Sequence, residues 1–185
     1  MPVVSITLLP GYDPSTQHRM VNRVANAVRS VIDTPEAGTT VFVNEVSTYR
    51  RDGKVFSEGR AAHPVASEVV QSFLQAMQDR DLEKAQSFLH PEFRMRFPGG
   101  VVMHSLQEMT DWAKQRYSRI EKQYDQFEES WQGDATVVFC HGTLLGTWLD
   151  GQTFAGIRFI DRMVVQNGLI TQQDVWNDLA EHRTA

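Results

Sequence analysis

The chain has 185 residues, 41% hydrophobic and 22% charged, which fits a folded globular protein of one or two domains. Its 18 Lys and Arg against 23 Asp and Glu leave a formal net charge of −5, and the missing basic excess speaks against nucleic acid as a partner. The single cysteine, Cys140, excludes an intramolecular disulfide and a cysteine-rich zinc site and suits a reducing cytoplasm.

No apolar run nears the roughly 18–20 residues of a membrane-spanning helix. The opening MPVVSITLLP has neither the basic region nor the small-residue cleavage site of a secretion signal. The expectation is a cytoplasmic protein with no membrane partner.

The first sixty residues read as strand, helix, strand. Val4, Ile6 and Leu8 alternate with Val3, Ser5 and Thr7, the period of a half-buried strand. Asp13 is a good N-cap, and Pro14 suits the first helical position, where its missing N–H costs nothing. Met20, Val21, Val24, Ala25, Val28, Val31 and Ile32 form one apolar helix face, opposite Arg19, Arg23, Asn26 and Arg29. The β-branched run from Thr39 to Val46 predicts a second strand, joined to the first by a parallel crossover. Residues 49–54 are polar and turn-like, and residues 57–64 have no apolar period, which places a linker there and divides the chain into domains 1–60 and 61–185. A sixty-residue unit of this kind leaves much of its surface uncovered, so a second copy is expected to cover one sheet face.

Beyond Pro64 the pattern changes. Val65, Val69, Val70, Phe73, Leu74 and Met77 predict a helix, and Leu82, Ala85, Phe88 and Leu89 a short second one. Phe93, Met95 and Phe97 alternate with Arg94 and Arg96 before the Pro98-Gly99-Gly100 turn. Ser105 and Glu108 fit a capping box, opening a helix expected to run to about residue 120. Gly133, Asp150-Gly151 and Asn167-Gly168 mark tight hairpins between strands near 121–131, 134–149, 152–166 and 169–178. Helices set on one side of a curved antiparallel sheet make an α+β fold.

Pro2 after the initiator, the strand VVSITLLPG, the amphipathic helix, Asp33-Thr34-Pro35 and TTVFVNEV resemble the tautomerase superfamily typified by 4-oxalocrotonate tautomerase, over residues 2–60. The resemblance implies a β-α-β unit that pairs and often forms hexamers. It also implies a catalytic amino-terminal proline, here Pro2 if Met1 is removed. A secondary amine in an apolar pocket loses basicity and can shuttle a proton near pH 7; with Met1 retained, Pro2 N is an amide. Tyr12 and Thr40 fall where better-known members carry substrate-binding arginines.

The helical pair at 65–89, HPEFRMRFPGG, the capped helix and FIDRMVVQNGLITQQDVWND resemble the SnoaL-like branch of the NTF2-like superfamily, over residues 64–182. That implies a cone: a curved sheet with helices closing its mouth over an apolar pocket. In its cyclases an Asp of the final strand is the acid or base, and Asp174 matches that position. The other reading of Asp174 is a strand residue paired with Arg158 or Arg162.

His141 and His104 are further candidates, either as acid–base partners in the pocket or as hydrogen-bonded interface residues. Tyr12, Tyr117, Trp112, Trp148 and Trp176 are candidates to line a ligand site, with packing as the alternative. Asp161 and Asp178 read as surface or structural charges. The six histidines show no paired ligand spacing, so no metal is expected; no phosphate loop or nucleophile elbow appears, so no cofactor is expected. The combined expectation is a cofactor-free isomerase, tautomerase or cyclase-type enzyme, a symmetric homo-oligomer (dimer or trimer of dimers) acting on a small apolar or aromatic carbonyl or enol compound. The alternative is a non-catalytic binding protein whose first unit only drives assembly.

Overall fold

The computed structural model describes residues 1–57, 59 and 61–182. The chain divides into two compact units that part between Ala62 and His63.

In the first unit, β1 (Val3–Leu8) and β2 (Thr40–Glu45) pair in parallel from Val3–Thr40 to Leu8–Glu45, joined through α1 (Pro14–Arg29). Asp13 caps α1: its Oδ1 accepts from the Ser15 and Thr16 amides at 2.9 and 3.1 Å. Hydrogen bonds from the Ser15 and Thr16 hydroxyls, helped by these amides, hold its carboxyl far below the usual range. The helix stops three residues short of Ile32. The Ser30 hydroxyl donates to the Ala27 carbonyl at 2.7 Å, competing with the helical pattern, and Val31 and Ile32 are left exposed. The polar stretch after β2 is a hairpin, β3 (Tyr49–Arg51) and β4 (Lys54–Phe56), turned by Asp52 and Gly53 at φ of 50° and 77°. Among the described residues of this unit only Gly38 is fully buried. The unit therefore has no buried side-chain core of its own.

The second unit opens with α2 (Ala66–Gln78) and the short α3 (Leu82–Gln86), followed by β5 (Leu89–Phe97), β6 (Val101–Met103), α4 (Leu106–Lys114), β7 (Tyr117–Gln132), β8 (Ala135–Trp148), β9 (Thr153–Gln166) and β10 (Leu169–Asn177). The six strands form one sheet in the order β6-β5-β10-β9-β8-β7, antiparallel except for β5 beside β10. The capping box holds α4 in place: Ser105 Oγ accepts from the Glu108 amide at 3.2 Å, and Glu108 Oε2 accepts from the His104 amide at 2.9 Å. The helix ends at Lys114, short of residue 120, because Tyr117 and Ile120 pair with Trp148 and Gly146 of β8 as the start of β7.

Cross-strand partners lie on the same face of a sheet, so the register sorts the two faces. One face carries Met95, Gln173, Val175, Met163, Asp161, Phe159, Cys140, Leu144, Lys122 and Tyr124. Phe73 and Leu74 of α2 and Leu106 of α4 join this face in the core. The other face carries Arg96, Asp174, Trp176, Arg162, Ile160 and His141. No helix among the described residues is long and apolar enough to cross a membrane.

Candidate functional site

Between the helices and the inner sheet face lies a cavity of about 460 Å³, inside the size range of small-molecule sites. Its walls are mainly apolar: Phe73, Leu74 and Met77 from α2, Met95 and Phe97 from β5, Leu106, Met109 and Trp112 from α4, and Tyr117, Leu144 and Val175 from the sheet. Lys122, Tyr124 and Gln173 bring polar atoms to it.

Lys122 and Gln173 converge on Asp161, which stands behind the lining. This carboxylate is wholly buried. Its Oδ2 accepts from Lys122 Nζ in a short ion pair and from Gln173 Nε2 at 3.4 Å, while Oδ1 has no hydrogen-bond partner. Burying a carboxylate is costly unless a cation and donors meet it, and here Lys122 is the cation. Lys122 Nζ also lies 4.5 Å from the Phe159 ring centroid, an arrangement that favours a positive charge.

A glycine helps to make the arrangement. Tyr124 of β7 and Phe159 of β9 both sit opposite Gly142 of β8. Their rings meet edge to face, with centroids 5.6 Å apart, over the strand position that carries no side chain. A Cβ at Gly142 would stand 1.9 Å from the Gln123 carbonyl oxygen. Burial, with the charge of Asp161 second, pushes the Tyr124 hydroxyl well above the usual phenol range. Burial likewise pushes Tyr117 up to about 12, slightly offset by Arg116. Both phenols remain proton donors at neutral pH. The Cys140 thiol is pushed up to about 12 by burial first and Asp161 second, so it is no nucleophile near pH 7.

The chain belongs to the SnoaL-like family. The family model for the SnoaL-like domain matches residues 70–173, more than half of the chain. Three solved structures share the fold of this SnoaL-like unit. TerC, co-crystallised with polyporic acid, is 23% identical, with 63% of this chain and 94% of that one covered and a TM-score of 0.54. A protein from Pseudomonas putida provisionally named a polyketide cyclase is 13% identical, covering 64% and 96%, with a TM-score of 0.52. One from Shewanella frigidimarina provisionally named a ketosteroid isomerase is 19% identical, covering 60% and 94%, with a TM-score of 0.50. No curated protein matches the sequence significantly.

The SnoaL-like unit redistributes the residues expected from the sequence. Trp112 and Tyr117 border the cavity. Asp174 does not, which corrects its expected place in the hollow. It lies on the outer face between the inward Gln173 and Val175, and its Oδ2 accepts from Arg162 Nη1 at 3.1 Å and Gln172 Nε2 at 2.7 Å. The pairing with Arg162, the other reading of this residue, is the one seen. His141 is on the outer face too, 3.8 Å from Asp125 Oδ2. His104 is exposed and lends the α4 cap only its backbone amide. Trp176 is an exposed outer-face residue. Trp148 packs on Phe154, the rings tilted by 40° with centroids 4.5 Å apart, against a smaller cluster of Leu144, Ile157, Phe159 and Leu179.

Pro2 and Tyr12 belong to the first unit. The Pro2 carbonyl accepts from the Thr40 amide at 3.1 Å, and with Met1 in place the Pro2 nitrogen is an amide. The Tyr12 carbonyl accepts from Gln17 Nε2 at 3.2 Å.

The sequence reading missed Asp161 and Lys122. A signal was available: Asp161 shares its alternation with Ile157, Phe159, Met163 and Val165, while Arg158 and Arg162 take the other side. A carboxylate on the apolar stripe of a strand must find a buried partner.

Proposed function

We propose that this chain is a cofactor-free isomerase or cyclase-type enzyme that moves a proton on a small carbonyl or enol compound held in the SnoaL-like cavity, with the Lys122–Asp161 pair as its acid–base centre. One observation carries the reading: a wholly buried carboxylate behind the wall of an apolar cavity, met by a lysine and a glutamine that border it. A buried carboxylate paired with a cation beside an apolar cavity is an arrangement that catalytic sites use.

The lysine ammonium has three N–H donors, and Asp161 takes one. The others can meet a carbonyl oxygen, where negative charge gathers as the neighbouring carbon loses its proton. The carbon's proton goes to Lys122 once Asp161 has taken one from the ammonium: the neutral amine accepts it, returns a proton to the oxygen or the carbon of the substrate, and regains its own from Asp161, which leaves the pair as it began. Tyr124, kept protonated, is a second donor. The provisional names of the polyketide cyclase and the ketosteroid isomerase that share the fold support proton chemistry beside a carbonyl.

Assembly belongs to the same reading. We take the first unit, with no buried side-chain core, to be covered by a second copy of itself; its resemblance to the tautomerases supports this. Sedimentation at micromolar concentration should show a homo-oligomer, and a monomer would contradict that part of the reading.

The activity is tested by following ketonisation of small aryl enols by absorbance with wild type, K122M, D174N and P2A. K122M should lose at least about 100-fold in kcat/KM, the usual scale for a positioned acid or base, while D174N stays near wild type. An activity untouched in K122M, or none with any enol, overturns the assignment. Loss confined to P2A moves the chemistry to the first unit.

A further inference from the structure

The cavity carries an uneven set of charges. Arg80, Lys114, Arg116, Arg119 and Lys122 border it, against Glu121 alone among acidic residues. Three of the cations are answered: Lys114 by Asp111 at 3.2 Å, Arg119 by Glu121, and Lys122 by Asp161 from behind the wall. Arg80 and Arg116 have no carboxylate partner among the described residues, and of the two it is Arg116 whose Nε is buried without a hydrogen-bond partner.

Arg116 is nevertheless held in place. It sits where α4 gives way to β7, its own amide donates to the Ala113 carbonyl at 3.0 Å, and its guanidinium carbon lies 4.5 Å from the Trp112 ring centroid. Trp112 is braced in turn by Phe97, whose ring meets it edge to face with centroids 5.2 Å apart. A guanidinium stacked on an aromatic ring keeps its in-plane donors free. Here it has given up part of its hydration without gaining an anion. A planar oxyanion meets such a fork with two parallel hydrogen bonds.

We propose that the ligand of this cavity is a small organic acid, apolar or aromatic in its body, whose ionised carboxylate or enol group is taken by Arg116. This rests on the cavity being the ligand site, as in the proposed function, and adds the charge of the ligand to it. Arg116 then anchors the acidic end, leaving the carbonyl end of the same molecule to the Lys122–Asp161 pair. A neutral compound would leave Arg116 as unanswered as it is in the free protein.

The test is calorimetric titration of the full chain with three bicyclic probes of similar size: 2-naphthoate (carboxylate), 2-hydroxy-1,4-naphthoquinone (ionised enol at neutral pH) and 2-naphthamide (neutral). Wild type should bind at least one anionic probe ten-fold or more tighter than the amide, and which one identifies the acidic group. R116M and R116Q, checked by thermal melting, should bind the amide as wild type does and lose the preference for the anion. R116K keeps the charge without the fork and should fall between. If wild type binds the amide as tightly as both anions, or R116Q keeps the preference, the inference is wrong while the cavity reading stands. If none of the three binds at millimolar concentration, both fail.

Discussion

Asp161 and Asp174 stand on neighbouring strands of one sheet, each against a cation, and they answer to different surroundings. Asp174, on the outer face and 6% exposed, has two donors on its Oδ2, Arg162 and Gln172, and Gln172 Oε1 accepts in turn from Arg94 Nη2 at 3.2 Å. Asp161, on the inner face, is 0% exposed, relies on one lysine and a long bond from Gln173, and keeps Oδ1 unpartnered. A carboxylate met by two donors within a chain of side-chain hydrogen bonds serves architecture. An under-satisfied pair beside an apolar cavity has capacity left for chemistry.

The sharpest way to break this contrast is to remove one member of each pair. K122M leaves the buried Asp161 charge unanswered and should cost about 3–5 kcal/mol in urea unfolding. The double variant K122M/D161L, which removes both charges, should recover most of that loss. A double variant no more stable than K122M would mean that packing rather than charge sets the cost.

Alkaline pH probes the same inner face. The Cys140 thiol has a folded pKa of about 12 against an ordinary 9. Its contribution to stability is therefore complete below pH 9 and is lost as pH rises through about 12. Over that window the folded state should lose about 1.4 kcal/mol per pH unit from this group. The urea midpoint of wild type should fall from pH 9 upward, with a shallower fall in C140A. Identical slopes would place the alkaline sensitivity elsewhere, with Tyr117 the next group to examine.

Smaller effects refine the picture. G142A forces a methyl group against the Gln123 backbone and should cost about 1–3 kcal/mol, the usual range for overpacking. It should also reduce the coupling between K122M and D161N in a double-mutant cycle if Gly142 shapes the pair. On the outer face, D174N keeps an acceptor for Arg162 and Gln172 and should cost about 1 kcal/mol, with enol ketonisation unchanged. A hundred-fold loss of activity in D174N would reverse the roles of the two aspartates.

Most of the architecture was legible in residue order. The crossover in the first unit, the Asp13 cap, the capping box at Ser105 and Glu108, and the three glycine-marked hairpins follow from local chemistry, because each is set by residues a few positions apart. The end of α4 was not legible. Tyr117 and Ile120 continue the helical spacing of Leu106, Met109 and Ala113, and only pairing with β8 draws them into a strand.

The position of Asp174 was hidden by a single irregularity. Ile170 is wholly buried and pairs with Val165, so strict alternation would turn Gln172, Asp174 and Trp176 inward as well. The register shifts between Ile170 and Gln172, and one extra residue there exchanges the two faces for the rest of β10. Gln173 and Val175 then face the cavity, and Asp174 faces out.

Residue order alone determined which side chains of each strand travel together and where the chain turns, because both depend on a two-residue period and on local backbone preference. The tertiary structure alone decided which of the two sets is enclosed. It also brought Lys122 within reach of Asp161, 39 positions away, because enclosure and long-range pairing depend on how strands bulge and stack, which no local pattern encodes.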